Sequence, residues 1–174
     1  MRERVRTYLQ KEFLPLAILI LILLGMAGAS IIYQRVQSYA VRYPEIQEVS
    51  GTDWTFQKYS TYFQQLADKK GAVYAFRVLR EVTLPPIIDM HLLAHIVGDM
   101  LYKQKGLAGM KECTDEFRNA CSHSVVIGYL REFGEGALPE IAKTCKQAPG
   151  GRGAYTMCFH GLGHGVSAYY DYSL

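Results

Sequence analysis

Residues 158–170 read CFHGLGHGVSAYY. Two histidines alternate with three glycines in a stretch otherwise apolar enough for a buried helix. A glycine inside a helix costs about 1 kcal/mol relative to alanine, so a helix here implies that the glycines serve a purpose. Gly161 and Gly165 stand four apart with Ala168 three beyond, which makes a smooth strip along one side of the helix. Such a strip lets a neighbouring backbone come close. His160 and His164 each precede a strip glycine by one position, so a close neighbour would press against the imidazoles.

Two other stretches align with this one on their histidines: DMHLLAHIVGDMLY (89–102) and CSHSVVIGYLREF (121–133). Each has a histidine in third place, a histidine or isoleucine four residues later, and a nearby glycine (Gly98, Gly128, Gly165). The leading histidines lie 32 and 37 residues apart, the length of a helix-turn-helix repeat. The alignment predicts an all-α, solenoid-like domain of helical hairpins over residues 51–174.

The remaining punctuation agrees with helices. Phe56, Tyr59, Phe63 and Leu66 recur at helical spacing, as do Val73, Phe76 and Leu79, with a joint at Asp68–Gly71. Leu84-Pro85-Pro86 breaks the pattern, and a third helix is expected from Ile87 to about Lys105, stopping at Gly106. Gly109–Asn119 is polar and ambiguous. A helix over Ala120–Phe133 ends at Gly134-Glu135-Gly136, Pro139 opens a short helix through Cys145, and residues 148–153 form a loop before the last helix. No segment alternates with period two.

At the N-terminus, Phe13 to Gln34 carries no charge, and the apolar run is long enough to cross a bilayer. Arg2, Arg4, Arg6 and Lys11 precede it, against Glu3 and Glu12. Basic residues on this flank keep it cytoplasmic. The expected organisation is a cytoplasmic flank (1–12), a transmembrane signal-anchor (13–33), a stalk (34–50) and an extracytoplasmic domain (51–174). Ala27-Gly28-Ala29 offers the rival reading of a cleaved signal, which leaves the domain in the same compartment. The lipid bilayer is thus the first expected partner, through residues 13–33. A membrane complex or protein partner is a second. Nucleic acid is not expected: the formal net charge is +3, most of it on the flank, and no basic cluster is interleaved with aromatics.

Four cysteines in an exported domain suggest disulfides. Cys113–Cys121 and Cys145–Cys158 would each close a short loop beside a histidine helix. Cysteine ligation is the less favoured alternative, because Cys121 and His123, or Cys158 and His160, are two apart on a helix and point to nearly opposite sides.

All five histidines fall between His91 and His164. Residues four apart share a helix face, which pairs His91 with His95 and His160 with His164. His123 marks the equivalent place between them, and Asp99 continues the first row. This set suits a transition metal, with zinc, copper and iron undistinguished, and Asp99 and His123 are candidate ligands or supporting groups. Haem held between two imidazoles is a weaker option. Neither Cys-x-x-Cys-His nor His-Glu-x-x-His occurs, which excludes the covalent haem and zinc-protease signatures. Three function classes follow: metal binding without chemistry, a metalloenzyme or redox centre, and a metal-free helical scaffold whose histidines only pack.

Overall fold

The computed structural model describes the backbone of residues 2–170, and the side chains from Pro15 onward except at positions 37 and 39–41. The side chains of the basic flank and the last four residues lie outside this description. Among the described residues every regular element is helical.

The chain divides into two compact units, residues 1–44 and 45–174. The first is one long helix, α1 (Arg2–Arg42). Its segment Pro15–Val36 has a mean hydropathy of 2.5 and no buried residue. At 1.5 Å per residue such a segment covers about 30 Å, the thickness of a bilayer core. This is compatible with a membrane anchor or a signal sequence. The stretch read as a stalk is shared between the units. Residues up to Arg42 continue α1, whereas α2 (Glu45–Val49) belongs to the second unit and buries Glu45 and Val49. Glu45 is held by Lys70 and by the Tyr74 hydroxyl. Burial alone would push its carboxyl up, but the two hydrogen bonds win and hold it below the usual range.

In the second unit, α3 (Phe56–Lys70) and α4 (Ala72–Glu81) meet at Gly71, where φ is +91°. A side chain there would be strained, and glycine is not. Thr55 caps α3 by accepting from the Lys58 amide. Tyr59, Phe63 and Leu66 pack with Phe76, Val78 and Leu79 in a core that continues into α5 (Met90–Lys105). The third helix begins later than Ile87 because Asp89, not the prolines, supplies the cap. Its carboxylate accepts from the His91 and Leu92 amides.

Helix α6 (Ala120–Phe133) lies between α5 and α8 (Gly151–Tyr169), and α7 (Leu138–Cys145) packs along α8. The glycine strip does what its spacing suggests. A Cβ on Gly161 would stand 3.0 Å from His123 Cα, and one on Gly165 would stand 3.5 Å from Ile127 Cα. On the other side of α6, a Cβ on Gly98 would fall 3.1 Å from Cys121 Cα. Glycines on both flanking helices thus bring three backbones together around His123.

The ambiguous stretch resolves into two 3₁₀ turns, Gly106–Glu112 and Glu116–Asn119. Helix α8 also starts inside the expected loop, at Gly151. Cys113 and Cys121, and Cys145 and Cys158, stand at disulfide distance with Cα separations of 5.5 Å in both pairs, as expected from their spacing. No free cysteine remains, which leaves none to ligate.

Candidate functional site

All five histidines line one cleft of about 400 Å³ together with Arg118, Ile127 and Met157. Helix α5 contributes His91 and His95, α6 contributes His123, and α8 contributes His160 and His164. His123 is only 4% exposed and sits between the pairs. Its ring centroid is 6.0–6.4 Å from those of His95 and His91, and 5.5–6.1 Å from those of His160 and His164.

Within each pair the Nε2 atoms face each other, at 3.2 Å for His91–His95 and 3.0 Å for His160–His164. The backbone fixes several protons. His91 Nδ1 lies 2.6 Å from the Phe117 carbonyl, which only accepts, so this nitrogen carries the hydrogen. The single proton of the Ser124 hydroxyl is shared between two groups that only accept, the His95 carbonyl at 2.9 Å and the Asp99 carboxylate. His95 Nδ1, 3.0 Å from the same oxygen, is therefore the donor to it. In the neutral state both Nε2 atoms of this pair then present lone pairs to each other. Facing lone pairs at that distance repel unless a cation stands between them. His123 Nε2 donates to the Met157 carbonyl at 3.0 Å, which leaves Nδ1 as its lone-pair nitrogen.

The Phe117 carbonyl reaches His91 from a strained turn. Phe117, Arg118 and Asn119 have φ of +53°, +51° and +60°, three consecutive non-glycine residues in the left-handed region. For Phe117 and Arg118 this costs about 1–2 kcal/mol each, whereas asparagine adopts it more readily. The turn that bears this strain also delivers Arg118 to the cleft, and strain of this kind gathers at functional sites.

Asp99 does not join the cleft. Eight residues beyond His91 a helix has turned about 80° past the starting face, and Asp99 lies instead near Ser124, Arg131 and Lys103. Burial of its carboxyl end pushes it up, and those three neighbours hold it down. Among the described residues no three His, Cys, Asp or Glu side chains converge as ligands of one ion. The arrangement is two pairs flanking His123 rather than one cluster of four. The residues that spacing did not reveal are Arg118, Ser124 and the carbonyls of Phe117 and Met157.

Burial pushes His95 down to about 4, helped by the nearby His91 and His164 and opposed by Asp89. Burial also pushes His123 down to about 4, with His95, His160 and His164 acting in the same direction and the Met157 carbonyl opposing. A histidine depressed on folding contributes stability that is present above about pH 6.5 and lost as pH falls toward the folded value. Glu45 and Glu116 are held below the usual carboxylate range and do not contribute in that interval, whereas Asp99, pushed up by burial, acts in the opposite direction. Thermal unfolding of metal-free protein should therefore show a fall in stability between pH 7 and pH 5, and His95→Gln together with His123→Gln should flatten it. A flat wild-type profile over that range would contradict the burial of these imidazoles.

Comparison of the chain with protein-family models, curated proteins and solved structures gives no match.

Proposed function

We propose that this is a membrane-anchored protein whose extracytoplasmic domain, built of helical-hairpin repeats, binds a transition-metal ion in the histidine cleft. The observation that carries this reading is the pair of facing Nε2 atoms, 3.2 Å apart on α5 and 3.0 Å apart on α8. Two nitrogens at about 2.0–2.1 Å from one tetrahedral ion are separated by about 3.3 Å. Each pair supplies two ligands, and His123, whose ring centroid is 5.5–6.4 Å from those of both pairs, is a neighbour of both rather than a third ligand of either. The other positions stay open to exchangeable ligands, as in sites that do chemistry or pass an ion on.

The anchor reading rests on Pro15–Val36 and on the basic residues before it. The repeat reading rests on the matching places of the histidines in α5, α6 and α8, and on the glycine approaches to either side of α6.

The test is metal stoichiometry of the full-length chain in detergent. It should bind Co²⁺ or Zn²⁺ stoichiometrically, with a cobalt spectrum of nitrogen ligation. Replacing His160 and His164 by alanine, or His91 and His95, should lower the bound metal by at least one ion per pair removed from a pair that holds one. Helical circular dichroism should persist. A folded wild type that binds neither metal overturns the reading.

The metal-free scaffold draws on a specific observation as well: His91, His95 and His123 each bond across a helix boundary, to Phe117, Ser124 and Met157. Buried polar groups need such partners. The exposed His160–His164 pair separates the readings, since among the described residues its side-chain hydrogen bond runs within the pair and not to a backbone carbonyl or hydroxyl of another helix. On the scaffold reading its replacement by alanine changes nothing that metal analysis reads.

A further inference from the structure

The described lining of the cleft holds five imidazoles and one guanidinium, with no carboxylate among them. Asp89 acts on His95, but its oxygen is engaged with the amides of His91 and Leu92 as the cap of α5. A divalent ion held there by neutral imidazoles keeps its full charge, and Arg118 adds another. Arg118, His160 and His164 are open to solvent at the mouth of the cleft, and a concave site lined by charge of one sign concentrates counter-ions there. Arg118 itself forms no ion pair among the described residues. Its place in the cleft is set by a backbone turn, Phe117–Asn119, whose left-handed conformation is costly for phenylalanine and arginine.

We propose that the cleft takes an oxyanion group, a phosphate or a carboxylate, which bridges the Arg118 guanidinium and the open coordination positions of the imidazole-bound ion. This rests on the metal reading above. The coordination count leaves room for it: an imidazole pair fills two positions of a tetrahedral shell, and oxygen is a common third or fourth ligand. Arginine presents a planar fork of donors that matches the two oxygens of a carboxylate or phosphate. The ion and the fork act on the same group from two sides, and together they neutralise a cleft that is otherwise cationic once loaded.

The test uses the full-length chain in detergent, loaded with Co²⁺ and titrated with inorganic phosphate and, separately, with acetate at constant ionic strength. At least one of the two should shift the visible cobalt bands saturably. Arg118→Gln should raise the half-saturating concentration about tenfold or more, the scale of one charge-assisted contact, and Arg118→Lys should recover part of the loss. Arg118→Gln should also bind Co²⁺ more tightly than wild type when no anion is added, because a like charge has gone; a merely structural role would not produce that. A shift with phosphate alone supports a phosphate-bearing ligand, and one with acetate alone supports a carboxylate. The proposal is overturned if neither anion changes the spectrum of loaded wild type, or if Arg118→Gln responds as wild type does. Failure to bind Co²⁺ at all is a separate readout and overturns the metal reading together with this one. Should Arg118→Gln not fold, the wild-type titration decides by itself.

Discussion

Replacing Cys145 and Cys158 together by alanine is expected to lower the stability of the helical unit by about 3 kcal/mol. The bond closes a loop of sequence separation 13, and a loop of that length loses chain entropy on this scale when cross-linked. Both sulfurs are fully buried, so their removal also leaves a small void between α7 and α8. For a domain of this size the loss corresponds to a fall in melting temperature of about 10 °C. Cys113–Cys121 has a separation of only 8, and its removal should cost somewhat less. The effect has a direction beyond stability. Cys158 lies two residues before His160, so the bond anchors the part of α8 that faces His123. Thermal unfolding with and without reductant checks the claim, and a shift under about 2 °C on reducing both bonds would remove the staples from the account.

That bond was legible in the sequence, and the reasons show where such reading works. Cysteine pairing followed from local spacing and an even count, both of which survive translation into three dimensions. Helix boundaries were legible where one residue type is decisive: Gly71 between α3 and α4, and Gly134 after α6. The histidine pairs were legible because a spacing of four fixes a shared face irrespective of the tertiary fold. The same row extended to Asp99 gives no lining residue of the cleft, since a further turn carries the side chain around the helix to Ser124, the partner of His95, where only the supporting role is open to it. The start of α5 was misplaced for a different reason. Two prolines offered an N-terminal signal, but the aspartate with free amides in front of it won.

What spacing did not reveal is mostly backbone. The carbonyls of Phe117 and Met157 fix protons on His91 and His123, yet a carbonyl is common to every residue and leaves no trace in the sequence. Arg118 was hidden for a related reason. Its approach to the cleft depends on three successive left-handed residues, and Phe-Arg-Asn does not favour that conformation locally. Only packing of Phe117 against Phe76 (ring centroids 6.3 Å apart) and the nearby Cys113–Cys121 pair make the turn intelligible. The histidine layer itself therefore depends on how closely three helices approach, and that is a question about glycines.

The two substitutions Gly161→Ala and Gly163→Ala should change stability in opposite directions, although they lie two residues apart on one helix. A Cβ on Gly161 would meet His123 Cδ2 at 2.5 Å and His123 Cα at 3.0 Å. The ring is held by its bond to the Met157 carbonyl, and the Cα belongs to the backbone of α6. The helices must separate. Overpacking of this kind costs about 1–3 kcal/mol, which outweighs the alanine's gain in helix propensity of about 1 kcal/mol. A Cβ on Gly163 meets nothing within 4 Å, so there the propensity gain stands alone and the variant should be more stable by up to about 1 kcal/mol. The site should register the same difference. Moving α8 outward carries His160 and His164 away from His123, so Gly161→Ala should weaken metal binding as well as the fold, whereas Gly163→Ala should leave binding as it is. Denaturant unfolding and metal titration of the two variants, side by side, test both halves. If both alanines stabilise, α8 does not lie against α6 at His123, and the cleft formed by the five histidines is not the one described.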